Sequence, residues 1–294
     1  MASVNDRDRE RTGEGIRTHA GLTYARHDGV ELAGDLFLPA GTARHPVLLA
    51  VPGGGWRFGQ RSGLHHWGEY LAQHGIAVFC IDYRQATAGP TFPQAACDVL
   101  AAAQFLCGEA SSFQLDAARL GLLGSSAGAH LAALIALAGH APPLSGAYPS
   151  DRHAAVQPRY RVLVGAYGIY DLFAHWQDSL SSHPESGDDF TERFIGGAPY
   201  DDPQRYVLAS PLRHVAYRAN ALKVFLTWGT HDTAVSPRQS EAFQLALEQA
   251  RFHVRTCPVI GAGHFWFSDE PLDDPGSFTA FVAPRIVRFL RRHL

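Results

Sequence analysis

No run of apolar residues in this sequence approaches the length needed to cross a bilayer. The opening residues, Met1-Ala2-Ser3-Val4-Asn5-Asp6-Arg7-Asp8-Arg9-Glu10-Arg11, also lack the apolar stretch of a secretion signal. Cysteine is scarce. Cys80, Cys97, Cys107 and Cys257 are scattered without metal-ligand spacing, and three of them fall in apolar strand or helix patterns, so they are expected to be reduced and structural. Charge is scarce too: 18% of residues are charged and the net charge is -3, which gives neither nucleic acid nor an anionic membrane surface anything to bind. No pair of carboxylates is spaced for glycoside hydrolysis, and no His/Asp/Glu grouping has the spacing of a metal site. These absences leave a cytoplasmic protein, without a metal, whose partner is a small molecule of little charge. The oligomeric state, a dimer included, stays open.

What is present is a substantial apolar content, 46% of 294 residues, spread evenly enough to favour one large domain over two small ones. Residues 1–18 are charged and aperiodic at their start and are expected to be a mobile arm. Two alternating runs follow, Leu22–His27 and Val30–Leu38, joined at the hairpin signal Asp28-Gly29. Pro46–Val51 and Ile76–Asp82 are continuously apolar, as strands covered on both faces are. Between and after them, Trp67–His74, stopped by Gly75, and the set Ala96, Val99, Leu100, Ala103 and Leu106 have helical spacing. Further strands are read at Leu120–Gly124, Arg161–Gly165, Lys223–Trp228 and Phe252–Val259, alternating with helices that end in one carrying Val282, Ile286, Phe289 and Leu290 inward. Strand–helix alternation means a mostly parallel sheet of eight strands between layers of helices, an α/β fold occupying residues 19–294. The segment at about 170–220 has only short helical hints and is expected to be a cap or lid.

The stretch Gly124-Ser125-Ser126-Ala127-Gly128 joins a strand to a helix. A turn this sharp strains its central residue and lifts the Ser126 hydroxyl above the sheet edge, with the two glycines giving the clearance. Asp232 and His264 end later strands, so three polar residues in the order Ser126, Asp232, His264 collect at the edge where α/β sheets bind ligands. A serine hydroxyl needs an imidazole to take its proton, and that imidazole needs a carboxylate to hold its tautomer and stabilise its cation. The tetrahedral oxyanion then needs preorganised donors. The N–H groups of Gly54, Gly55 and Ala127 are placed to form that hole, because Gly53-Gly54-Gly55 follows a buried strand directly. Pocket wall is expected from Trp56, Ser125, Tyr170, Trp176, Phe265 and Trp266, with Phe190 a further candidate.

The order Ser…Asp…His, the triple-glycine turn, the elbow at Ser126 and the stretch Asp82-Tyr83-Arg84 leading to Phe92-Pro93 together resemble the α/β-hydrolase fold. More narrowly they resemble the esterases related to hormone-sensitive lipase and the small bacterial carboxylesterases. The resemblance covers nearly the whole chain from Leu22. It implies hydrolysis of small carboxylic esters (short-chain acyl, acetyl or aryl) through an acyl-enzyme on Ser126, with no cofactor. One departure stands out: that branch has His-Gly-Gly-Gly at the oxyanion turn, whereas Pro52 precedes the glycines here, and proline cannot supply the contacts of an imidazole. How the turn is braced is left open.

Two other readings compete. An amidase of the aryl-formamidase type (kynurenine formamidase-like) uses the same three residue types, and the same fold also serves as a non-catalytic small-molecule binding protein. His231, beside Asp232, competes with His264 for the base, but neighbouring residues at a strand end point apart. Asp171, after the sixth strand, is expected just behind the site. The remaining histidines of the sixteen, His65, His66, His130, His140, His175, His183 and His253 among them, are taken as surface, core or pocket lining.

Overall fold

The computed structural model describes residues 11–13, 15–182 and 189–294. Its nine strands are β1 (Arg11–Gly13), β2 (Ile16–His27), β3 (Val30–Pro39), β4 (His45–Val51), β5 (Ala77–Ile81), β6 (Leu115–Ser125), β7 (Tyr160–Ala166), β8 (Lys223–Gly229) and β9 (His253–Val259). They form one sheet in the order β1-β2-β3-β5-β4-β6-β7-β8-β9. The first three and the β3–β5 pair are antiparallel, and everything from β5 to β9 is parallel. The eight strands expected from the sequence are all present. A short ninth, β1, lies beyond them, and β2 begins at Ile16. Residues 11–13 and 16–18 are therefore edge strand rather than a mobile arm; the rest of that segment lies outside the described residues except for Gly15, in a turn.

Local sequence explains the connections. Asp28 and Gly29 both take positive φ, 51° and 81°, which is what a two-residue turn needs to match the twist of the strands it joins. In the parallel half, crossovers run through α1 (His65–Gln73), α2 (Gln94–Gly108) and α3 (Ala127–Ala138), and later through α7 (Arg238–Gln249). Every residue of β5 is buried, so both faces of the sheet are covered at its centre. α9 (Phe278–His293) closes the domain with Val282, Ile286, Phe289 and Leu290 buried and Arg285, Arg288 and Arg292 exposed, as the spacing of its apolar residues requires. No helix among the described residues is long and apolar enough to cross a membrane.

Between β7 and β8 the chain leaves the sheet and forms α4 (Leu172–Ser182), α5 (Phe190–Ile195), α6 (Pro203–Ala209) and two short 3₁₀ turns. The segment expected to be a cap is more helical than its composition predicts. Its helix starts explain the composition. Asp189 accepts from the N–H groups of Thr191 and Glu192, and Asp202 accepts from that of Arg205, so Asp-rich loops here are helix caps.

Candidate active site

β6 delivers Ser126 at the point where it becomes α3. Ser126 has φ 53° and ψ -125°, a conformation that costs a non-glycine residue on the order of 1–3 kcal/mol. Two glycines let the turn close: a Cβ on Gly128 would lie 2.0 Å from the Val51 carbonyl oxygen, and one on Gly124 would lie 2.6 Å from the Ala129 nitrogen. The strain is held because the Ser126 N–H donates to the Ala166 carbonyl of β7 at 2.9 Å while its own carbonyl accepts from His130 N–H at 3.1 Å.

Asp232 and His264 come from the loops after β8 and β9, and backbone bonds stitch those two loops together. Thr230 N–H donates to Val259 O at 3.0 Å, His231 N–H to Ala262 O at 2.9 Å, and Gly261 N–H to the Thr230 hydroxyl at 2.9 Å. One Asp232 oxygen accepts from the N–H groups of Ala234 and Val235, both at 2.9 Å. The other lies 2.6 Å from His264 Nδ1, and His264 Nε2 lies 3.0 Å from Ser126 Oγ. The imidazole is fixed edgewise between Tyr167, 4.3 Å away by ring centroids, and Phe265 at 4.6 Å. The structure thus brings together Ser126, Asp232 and His264, in a relay that can move a proton from the hydroxyl to the ring. His231, by contrast, is exposed and is not part of the lining of the cavity beside Ser126.

The glycine turn runs beside them. Gly54 and Gly55 have φ 114° and 58°, and Trp56, a non-glycine, has φ 57°. Among the described residues, the N–H groups of Gly54, Gly55 and Ala127 donate to no acceptor, so all three are unspent donors. Without a histidine at position 52, other groups brace the loop. Tyr83 O–H donates to the Pro52 carbonyl at 3.1 Å, and Gly53 N–H donates to Ser125 Oγ at 3.2 Å. Gly54 O accepts from Arg57 and Phe58, and Trp56 O from Ala86.

A cavity of about 780 Å³ opens onto Ser126 and His264. Of the expected wall residues, Trp56 and Phe265 line it, as does Phe190. Ser125, Tyr170, Trp176 and Trp266 do not. Ser125 points to the opposite side of the elbow, where its hydroxyl braces Gly53. Tyr170 is packed flat on Phe243, 4.1 Å between rings. Trp176 donates to Glu192 at 2.7 Å and packs on Phe173 and Tyr200, and Trp266 is buried, only 3% exposed. Asp171 also serves elsewhere: it accepts from the N–H groups of Phe173 and Ala174 and pairs with Arg213, which secures the cap. The sequence reading passed over the polar face of α4. His175, Asp178, Ser179 and Ser182 line the cavity at spacings 0, 3, 4 and 7, a helical period that the sequence displays. Burial pushes the His175 imidazole below its ordinary pKa, so it is neutral there.

Comparison with known proteins agrees with this architecture. Residues 34–247 match the profile of the family described as BD-FAE. The chain belongs to the BD-FAE family. Its curated relatives include the probable carboxylic ester hydrolase LipM of Mycobacterium tuberculosis, 30% identical over 85% of this chain and 54% of that protein. The isoprenylcysteine alpha-carbonyl methylesterase ICME of Arabidopsis thaliana is 30% identical over 82% of this chain and 55% of its own length. The chain therefore spans about half the length of the curated relatives it matches. Among solved structures, propionate-bound esterase Est2 of Thermogutta terrifontis superposes with a TM-score of 0.74 at 20% identity, covering 92% of this chain and 93% of that one. An acetyl ester-xyloside bifunctional hydrolase of Caldicellulosiruptor lactoaceticus gives 0.75 at 19%, covering 93% and 96%. This BD-FAE chain has the α/β-hydrolase fold.

Proposed function

We propose that the protein is a serine hydrolase that cleaves small carboxylic esters through an acyl-enzyme on Ser126. One observation carries the reading: a hydroxyl, an imidazole and a carboxylate in a single hydrogen-bonded line, 3.0 Å and 2.6 Å, at the mouth of a cavity. His264 Nε2 takes the Ser126 proton as Oγ attacks the ester carbonyl, and Asp232 stabilises the imidazolium. The oxyanion accepts from the N–H groups of Gly54, Gly55 and Ala127. His264 then gives its proton to the departing alcohol, and a water molecule activated by the same ring releases the acid.

Relatives named as carboxylic ester hydrolase, methylesterase and esterase support an ester over an amide. The cavity wall that joins Trp56, Phe58, Phe190 and Phe265 to the polar face of α4 fits a compact acyl or aryl group with a polar substituent better than a long lipid chain. Four unpaired cysteines fit a reducing compartment, the cytoplasm in our reading. The decisive experiment is Ser126→Ala assayed on p-nitrophenyl acetate. Turnover should fall on the order of 10⁵- to 10⁶-fold with the circular dichroism spectrum unchanged. Esterase activity persisting in that folded variant would remove the mechanism.

A further inference from the structure

Pro52 stands where related esterases have the histidine that precedes the glycines, so the turn takes its bracing from other groups. Its one aromatic side chain before Arg57 is Trp56, which is fully buried. The indole stacks on Phe194 of α5, 4.7 Å between rings and 12° from parallel. Its N–H donates to His130 Nδ1 at 3.0 Å. His130 stands four residues beyond Ser126 on α3, is also fully buried, and places its Nε2 2.8 Å from the carbonyl of Ala209, the last residue of α6. An indole nitrogen can only donate and a carbonyl can only accept, so His130 must accept at Nδ1 and donate at Nε2. One imidazole, in one tautomer, therefore ties the oxyanion turn to the nucleophile helix and to the cap. Burial holds it neutral, with its pKa pushed down to about 4; the charged or titratable group facing it is His175 from α4.

We infer that His130 is a positioning residue for the hydrolysis: acting through the Trp56 indole, it sets the direction in which the Gly54 and Gly55 N–H groups point. The inference rests on the hydrolase reading. The Gly54 carbonyl, in the same peptide plane as the Gly55 N–H, is bonded to Arg57 and Phe58 of the turn itself, so the two glycines, at φ 114° and 58°, move with the turn that Trp56 anchors, and a donor that swings by tens of degrees loses most of a hydrogen bond. The oxyanion exists only in the transition state, whereas the ester is already held by the cavity walls. Loss of the brace should consequently appear in kcat and leave KM alone.

The test uses the full chain and p-nitrophenyl acetate, with a trifluoromethyl ketone as a probe that adds to Ser126 and needs the same donors. Trp56→Phe keeps the stacking on Phe194 and removes the donor. His130→Gln carries its amide to the Nε2 position, keeping Ala209 and abandoning the indole, while His130→Asn keeps an acceptor at the Nδ1 position. Trp56→Phe and His130→Gln should each lower kcat by roughly 10- to 100-fold and weaken the ketone by the same factor, with KM nearly constant in His130→Gln, whose side chain is outside the cavity wall. The double variant should be no worse than either single one, because both break the same bond. His130→Asn should restore most of kcat. An unchanged kcat in folded Trp56→Phe overturns the inference, as does a loss confined to KM or losses that multiply in the double variant. If His130→Gln fails to fold, the Trp56→Phe kcat and ketone affinity decide alone. Activity surviving Ser126→Ala would sink the hydrolase reading and this inference with it, whereas an unmoved Trp56→Phe beside an inactive Ser126→Ala sinks this inference only.

Discussion

His264 and His27 are both buried imidazoles held by carboxylates, at opposite places in one sheet. His264 has Asp232 on one nitrogen and a hydroxyl on the other. His27, in β2, has carboxylates on both: Asp98 lies 2.9 Å from Nδ1 and Asp151 2.8 Å from Nε2, with Tyr148 stacked on the ring. Asp98, fully buried, also receives Arg84 through Nε at 2.8 Å and Nη2 at 2.7 Å. With an acceptor on each side, His27 is a doubly donating imidazolium and has no lone pair left to take a proton. A histidine becomes a base by what its second nitrogen faces; the carboxylate on the first is common to both sites. Burial alone would push the His27 pKa down, but hydrogen bonds and charge from Asp98 and Asp151 outweigh it and the net shift is upward.

The sharpest way to break this comparison is to remove each ring in turn. His264→Ala should cost on the order of 10⁵-fold in kcat on p-nitrophenyl acetate with the urea midpoint unmoved. His27→Ala should do the reverse, leaving kcat intact while costing about 3–5 kcal/mol in urea unfolding, because Asp98 and Asp151 lose a buried partner. A His27→Ala variant that loses activity at full stability would erase the distinction.

A smaller effect sharpens it through pH. The contribution of His27, whose pKa is raised on folding, is complete below the unfolded value of about 6.5 and is lost as pH rises through its higher folded value. His130 runs the other way. Its folded pKa of about 4 lies below the unfolded one, so its contribution is complete above about pH 6.5 and is lost as pH falls through 4. Urea midpoints across pH should lose their alkaline slope in a His27→Gln variant and part of their acid slope in a His130→Gln variant. The smallest effect belongs to Tyr170, whose hydroxyl is buried without a hydrogen-bond partner among the described residues and is not part of the cavity lining. Tyr170→Phe should leave kcat and chain-length preference unchanged and shift stability by no more than about 1 kcal/mol in either direction.

The elements that carry the reacting groups were legible in the sequence because each obeys a local rule. A run of apolar residues ending in Gly-x-Ser-x-Gly, with an Ala/Leu-rich helical pattern directly after it, reads as a strand turning into a helix, and Asp232 and His264 each follow a further strand. The wall of the cavity follows no such rule. Tyr170, Trp176 and Trp266 lie near the site along the chain, but whether each aromatic faces the cavity or the core is fixed by partners far away: Phe243 for Tyr170 and Glu192 for Trp176. Ser125 shows the same limit at a spacing of one residue, since adjacent residues at a strand end face opposite ways. The sequence leaves His130 as surface, core or pocket lining because its bonding depends on Trp56, 74 positions earlier. The polar face of α4 is legible in its period, whereas the sequence taken residue by residue leaves His175 as surface, core or pocket lining.

The strand order has a consequence for how the molecule comes into being. Ser126 and the ring that faces it are 138 positions apart, and the ring arrives on the loop after β9, the outermost strand to be added on that side. A chain emerging from the ribosome therefore carries the Ser126 hydroxyl through 138 further positions before the His264 ring exists to draw off the proton. In our reading, reactivity switches on in one late event, when that edge docks, and the growing polypeptide is chemically quiet toward its surroundings until then.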